Sequence, residues 1–194
     1  MSAYRGERKV SLALRDMPGL RTITARHEEF GELAALNILG CVTVTPETGA
    51  FVRTLAELGA NIRWCSDNQF ASDDDVVDYL AADGIPVFAR SNMSTAEYFE
   101  AMDRARDFSG RTGEDIQVID DGVDITSHLA TRNDPAYFDS VCFITEQTTC
   151  GVAGLEHLYE RGLLPVPAIN RTVYSLCQGA LTNLIAGRAT HRLS

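Results

Sequence analysis

Residues 37–65, NILGCVTVTPETGAFVRTLAELGANIRWC, decide the fold. They open on an apolar run, Asn37–Val44, which reads as a buried strand. Thr45-Pro46 follows, a hydroxyl residue able to cap a helix and a proline suited to the first helical position. From Pro46 to Leu58 the apolar residues recur at helical spacing, and Asn61–Cys65 is a second short apolar run. A strand of continuous apolar character, a helix and another such strand form a β-α-β unit, the seed of a parallel sheet buried on both faces.

The same alternation continues downstream. Ile85–Ala89, Ile116–Ile119, Val141–Ile144 and Val166–Ile169 read as further strands. Asp73–Ala82, Thr95–Phe108, Ile125–Arg132, Gly151–Arg161 and Val173–Ala189 read as amphipathic helices. Upstream, after a polar lead, Leu12–Phe30 has near-helical spacing interrupted at Met17-Pro18-Gly19. No repeat, low-complexity tract or linker breaks the 194 residues. The expected fold is therefore α/β, one domain over residues 1–194. Right-handed crossovers make it a Rossmann-like open, mostly parallel sheet with helices on both faces.

Composition narrows the partners. Seventeen Lys+Arg against 27 Asp+Glu give a net charge of −10, which argues against binding nucleic acid or an anionic membrane. No apolar run is long enough to span a bilayer, and Met1–Val10 lacks the apolar stretch of a signal peptide. Five cysteines without paired spacing suit reduced thiols in a cytoplasm. Four scattered histidines, with no C-x-x-C and no H-E-x-x-H, predict no metal site.

Ligands of such sheets sit beyond the carboxyl ends of the strands. Polar clusters gather there: Thr45 and Glu47, Ser66-Asp67-Asn68, Ser91-Asn92, Asp120-Asp121-Gly122, Glu146-Gln147-Thr148 and Asn170. Loops and helix caps are polar in any case, and Glu47 can simply complement the dipole of its helix. Even so, so many clusters on one edge describe a cleft rich in acceptors, suited to a polyhydroxylated or amine-bearing small molecule and ill suited to phosphate. Neither G-x-G-x-x-G nor G-x-x-x-x-G-K-[ST] occurs among the 15 glycines, and G-x-S-x-G is absent as well. Of the adjacent Asp120 and Asp121, alternation sends at most one into the cleft, and Asp121, beside the glycine, is the choice. An Asp-Gly turn explains the pair as readily. Cys150 opens a helix, where a thiol pKa can fall, but no base accompanies it. His128 and His157 fall on helices, as packing or surface residues.

Several blocks carry a family resemblance: Met17-Pro-Gly-Leu20, GCVTVTPETGAFVRTLAELGA from Gly40, WCSDNQF from Trp64, GIPVF from Gly84, IDDGVD from Ile119, TEQTTCGV from Thr145 and VPAIN from Val166. Over residues 11–170 the chain resembles the N-terminal substrate-binding segment of S-adenosyl-L-homocysteine hydrolase. In that family the substrate domain holds the nucleoside and a separate domain carries NAD, which oxidises the ribose 3′-hydroxyl so that the thiol can leave. The resemblance implies that Thr45 and Glu47 contact adenine, that Asp121 lies near the ribose 5′ end and that Thr148 lies beside the ribose.

The departures from the family are equally specific. Gln147 stands where the family has a catalytic Glu, Thr43 where it has a His, Asp67 where it has a Cys and Ala71 where it has a Ser. After Asn170 the run Arg171-Thr-Val-Tyr-Ser-Leu-Cys177 has no counterpart of the family's Lys and Asp-Asn pair, and the sequence ends at Ser194. The expectation is an NAD-independent enzyme, with no cofactor, that binds an S-adenosyl compound and acts as a lyase or cyclase on S-adenosylmethionine, releasing methylthioadenosine. Asp121, Asp67 and Gln147 are its expected catalytic residues; Thr43, Thr45, Glu47, Asn68, Thr148 and Asn170 are its expected substrate contacts. Two alternatives stand beside it: a non-catalytic nucleoside-binding or regulatory protein, and a biosynthetic enzyme turned to a non-nucleoside substrate. Apolar surface left by a missing partner domain predicts a homodimer or higher homo-oligomer.

Overall fold

Strand β1 (Asn37–Cys41) lies between β2 (Asn61–Cys65) and β4 (Ile116–Asp120). β3 (Val87–Phe88) extends the sheet beyond β2, while β5 (Val141–Glu146) and β6 (Ile169–Asn170) extend it beyond β4. The order is β3-β2-β1-β4-β5-β6, and every pairing is parallel. This computed structural model describes residues 1–27, 33–34, 36–108, 116–132, 135–164 and 169–170. The α/β, Rossmann-like sheet expected from the alternating runs is the one observed.

Eight helices accompany the strands among the described residues: α1 (Ser2–Arg15), α2 (Pro18–His27), α3 (Pro46–Glu57), α4 (Asp74–Ala82), α5 (Thr95–Ala105), α6 (Asp124–Thr131), α7 (Pro135–Asp139) and α8 (Thr149–Glu160). Strand alternation sends Ile38, Ile62, Trp64 and Ile119 into one core with Val10, Phe51 and Leu80. Leu39, Cys41, Cys65, Val118 and Ile144 enter the other, with Met102, Ile125 and Leu155. Gly40 faces Trp64 across the β1–β2 pair, and a Cβ there would lie 2.1 Å from the indole. Its missing side chain gives the indole its place, and the indole N–H donates to the Val42 carbonyl at 2.9 Å.

The elements depart from expectation at their ends. β1 stops at Cys41 because the chain leaves the ladder, its Val44 carbonyl accepting from the Asp73 amide at 2.8 Å. β3 keeps only two residues, with Pro86 just before it unable to donate. α1 begins at Ser2, well before Leu12. It buries Gly6, Val10 and Ala13 on one face, and packs on α4 and α3. Arg5 and Lys9 on α1 pair with Asp75, and Lys9 also with Asp73, the N-cap of α4. Hydrogen bonds from Arg5, Ser2 and Lys9 hold the Asp75 carboxyl well below the usual carboxylate range. α7 had no counterpart among the expected elements. The expected strand over 166–169 is represented by Ile169–Asn170; residues 165–168 and the expected helix 173–189 lie outside the described residues.

Candidate ligand site

The strand order reverses between β1 and β4, the place at which open parallel sheets hold a ligand in the crevice between the loops after the two strands. The register is level across it: Cys41 pairs with Cys65 and with Asp120, and Asp120 with Glu146. These four residues form a row across the sheet. Cys41, Cys65, Asp120 and Glu146 are each fully buried. Burial, then the neighbouring Cys65 thiol, pushes the Cys41 thiol well above its usual range.

Asp120 works as a structural acceptor. α6 begins after Val123, which has φ +64 and no side chain able to cap. Asp120 takes over that task, its Oδ1 accepting from Ile125 N at 3.3 Å and from Asp121 N at 3.0 Å, and its Oδ2 from Thr126 N at 2.9 Å. Burial pushes Asp120 up to about 8; the Thr126 and Ile125 hydrogen bonds oppose that rise and the Glu146 charge adds to it. Glu146 is an acceptor of the same kind. Its Oε1 takes Gly122 N at 3.0 Å, Thr148 N at 2.7 Å and Thr148 Oγ1 at 2.9 Å, while Oε2 takes Val123 N at 2.9 Å.

Asp121, Asp67 and Asp124 face the crevice instead. All three are partly exposed, and burial raises the pKa of each. For Asp121 the rise reaches about 6, with the charges of Asp67, Glu146 and Asp124 adding to desolvation. Thr43 Oγ1 donates to Asp67 Oδ1 at 2.7 Å, which opposes the rise there. Tyr98, from α5, places its hydroxyl 2.7 Å from Asp124 Oδ2 and 3.0 Å from the Asp67 carbonyl, bridging the loop after β2 to the start of α6. Burial and the Asp124 bond hold that phenol protonated far above its usual range. Among the described residues, none of the three carboxylates has an ion-pair partner.

The remaining expected site residues are placed less uniformly. Thr45 caps α3, accepting from Thr48 N at 3.2 Å, and Glu47 is exposed on the first turn of that helix. Asn68 is exposed, and its Oδ1 accepts from Phe70 N at 2.9 Å, shaping the loop after β2. Thr148 caps α8, and Gln147 precedes it with its amide N–H on the Asp120 carbonyl at 3.0 Å. Gln147 Oε1 is buried and has no partner among the described residues. Asn170 ends β6 opposite Thr145, and its side chain lies outside the described residues. Cys150 is exposed on the first turn of α8. His128 stacks on Phe99 and meets Asp103 at 2.9 Å, a packing role, and His157 is exposed on α8. Among the described residues no group of His, Cys, Asp and Glu could hold a metal ion, and no helix is long and apolar enough to cross a membrane.

An open parallel sheet with acceptors massed at its reversal point is a Rossmann-like α/β architecture with a polar carboxyl edge. A family profile for S-adenosyl-L-homocysteine hydrolase matches residues 1–142, and the chain belongs to that family. It is similar to the adenosylhomocysteinase of Acinetobacter baylyi, at 36% identity over 165 residues. That match covers 85% of this chain and 35% of the relative, so the chain spans about a third of the relative's length.

Four of the residues that build the site were not among those expected to. Asp120 was weighed beside Asp121 and passed over, Glu146 stood only as a polar residue in a matched block at a strand end, and Asp124 only as the last letter of another block. Tyr98 left no signal: it sits in an ordinary amphipathic helix and reaches the crevice only because α5 packs beside β2.

Proposed function

We propose that the crevice binds an S-adenosyl compound and that the protein acts on S-adenosylmethionine, without NAD, as a lyase or cyclase. One observation carries this reading: Asp67, Asp121 and Asp124 raise one another's proton affinity or lose solvation at one crevice, with no cation paired to them among the described residues. A ligand ammonium is the natural complement, since opposite charge favours the ionised carboxylates. Family membership supports the nucleoside end of the ligand. In this reading Thr45 and Glu47 meet the adenine and Thr148 the ribose. Gln147, whose buried Oε1 lacks a donor among the described residues, accepts from a ribose hydroxyl. Thr43, Asn68 and Asn170 complete the rim.

The chemistry follows from the leaving group. A sulfonium departs without prior oxidation of the ribose. The methionine carboxylate forms a bond to the γ-carbon as the γ-carbon–sulfur bond breaks, and the electron pair of that bond passes to sulfur, giving neutral methylthioadenosine and a five-membered lactone with no proton to remove. Sulfur loses its charge on the way to the transition state, so a carboxylate against sulfur would hold back the reaction. Asp67 and Asp121 are therefore assigned to the α-ammonium, which orients the attacking group; orientation of this kind contributes ~7–11 kcal/mol in good cases. NAD does not fit these residues: the sequence has no dinucleotide fingerprint and the crevice edge is acidic, so no step uses it.

The test is to incubate folded protein with S-adenosylmethionine and follow methylthioadenosine by chromatography, with calorimetry of binding alongside. Release of methylthioadenosine supports the reading, and its absence sinks the catalytic part. A second reading, a nucleoside-binding protein without turnover, draws on Gln147, whose amide cannot take a proton, and on Asp120 and Glu146, both committed to backbone amides. Binding without turnover selects it, and no binding of any nucleoside overturns both. Self-association as a homo-oligomer belongs to the same proposal, and a light-scattering mass of one chain would contradict it.

A further inference from the structure

We propose that Glu146 is the positioning residue of the crevice, tying the loop that carries Asp121 and Asp124 to the loop that carries Gln147 and Thr148. The inference rests on the ligand reading above for its affinity readout only. Gly122 N and Val123 N lead into α6, and Thr148 caps α8; one fully buried carboxylate accepts from all three residues. It also stands at the N-terminal ends of two helices, where an anion is favoured. The first loop needs such a tie, because Gly122 and Val123 both hold positive φ, +74 and +64, and a β-branched residue is strained there.

The fit is enforced from the far side. Gly151 sits on the first turn of α8, and a Cβ there would lie 2.1 Å from the Glu146 carboxyl carbon and 2.3–2.4 Å from its oxygens. The carboxylate therefore occupies the space that the missing Gly151 side chain leaves. An amide in its place cannot serve both loops. Oriented to keep its oxygen on Gly122 and Thr148, it points an NH2 at the Val123 N–H; turned over, it faces the other donors.

Two variants test this. Glu146→Gln keeps the volume and loses one acceptor; Gly151→Ala keeps the charge and displaces the carboxylate, while its alanine favours the helix. The first measurement needs no ligand: amide hydrogen exchange by NMR at Gly122, Val123 and Thr148. Expected in either variant is faster exchange confined to these amides, with β1 and β4 as protected as in the parent. Unchanged exchange at all three overturns the proposal. The second is calorimetry with S-adenosylmethionine and S-adenosylhomocysteine, where each variant weakens binding at least about tenfold, a loss of ~1.4 kcal/mol. Val10→Ala, which opens the core between α1 and α4 on the other side of the sheet from Val123, controls for lost stability and leaves affinity within twofold. Equal weakening by Val10→Ala, or parental affinity in both Glu146→Gln and Gly151→Ala, also overturns it. If the parent binds neither compound, the ligand reading has failed, and the exchange data still decide the clamp.

Discussion

Asp120 and Asp121 are neighbours in the chain, yet Asp120 is enclosed by backbone amides while Asp121 faces other carboxylates across a crevice. Asp120 and Glu146 are the fully buried set, and they act as acceptors that end β4 and β5 and start α6 and α8. Asp67, Asp121 and Asp124 are the half-buried set, and they carry charge for which the described residues supply no ion-pair partner. The difference shows that charge type says little about role at a strand end. What counts is whether the side chain falls on the side where helix N-termini converge, or on the side open to solvent.

The largest expected effect breaks the fully buried set. Asp120→Ala leaves the Ile125 and Thr126 amides buried without an acceptor and should cost about 2–4 kcal/mol by urea denaturation, since each buried donor left unsatisfied costs about 1–3 kcal/mol. Asp121→Ala, one residue on, should cost less than ~1 kcal/mol. Comparable losses in the two would end the distinction between the sets.

The pH dependence sharpens it. Asp121 titrates near 6 in the folded protein and lower when unfolded, so its contribution to stability rises as pH falls from about 7 towards 4. Asp75 behaves oppositely: held low by Arg5, Ser2 and Lys9, it loses its stabilising contribution only as pH falls below its ordinary range. Binding of an ammonium needs ionised Asp121. Affinity for S-adenosylmethionine and S-adenosylhomocysteine should therefore fall roughly tenfold between pH 7.5 and 5, about one unit below the pKa, while adenosine and methylthioadenosine, which lack the α-ammonium, change little. Equal pH profiles for all four ligands by calorimetry would remove the ammonium from the crevice.

The smallest effect lies at Thr45, whose hydroxyl caps α3. Thr45→Ala should lower stability by ~1 kcal/mol in denaturant melts. If the same hydroxyl also meets adenine, its loss weakens adenosine binding beyond what Val10→Ala does; stability loss alone would leave Thr45 as a cap and nothing more.

Much of the architecture was legible in advance because continuous apolar strands alternating with amphipathic helices admit few arrangements. The N-terminal helix was misjudged for a physical reason. Its inner face is made of Gly6, Val10 and Ala13 with Ser2, Arg5 and Lys9 reaching the acidic start of α4, so it packs through small residues and ion pairs instead of an apolar stripe. Of the site, Thr43, Asp67 and Asp121 could be placed at one edge from strand order and matched motifs. Tyr98 and the clamp at Glu146 could not. The Tyr98 hydroxyl meets a carboxylate 26 positions away, and Glu146 reaches amides 24 and 23 positions away, through helices packed from elsewhere in the chain.

Periodicity alone determined the layered parallel sheet and the edge at which polar residues gather, because burying a two-faced strand leaves few choices. Only the tertiary structure decided which of those polar groups became scaffold and which stayed open to a ligand. That outcome depends on where the amides of α6 and α8 point once the helices have docked, and no stretch of the chain encodes that direction locally.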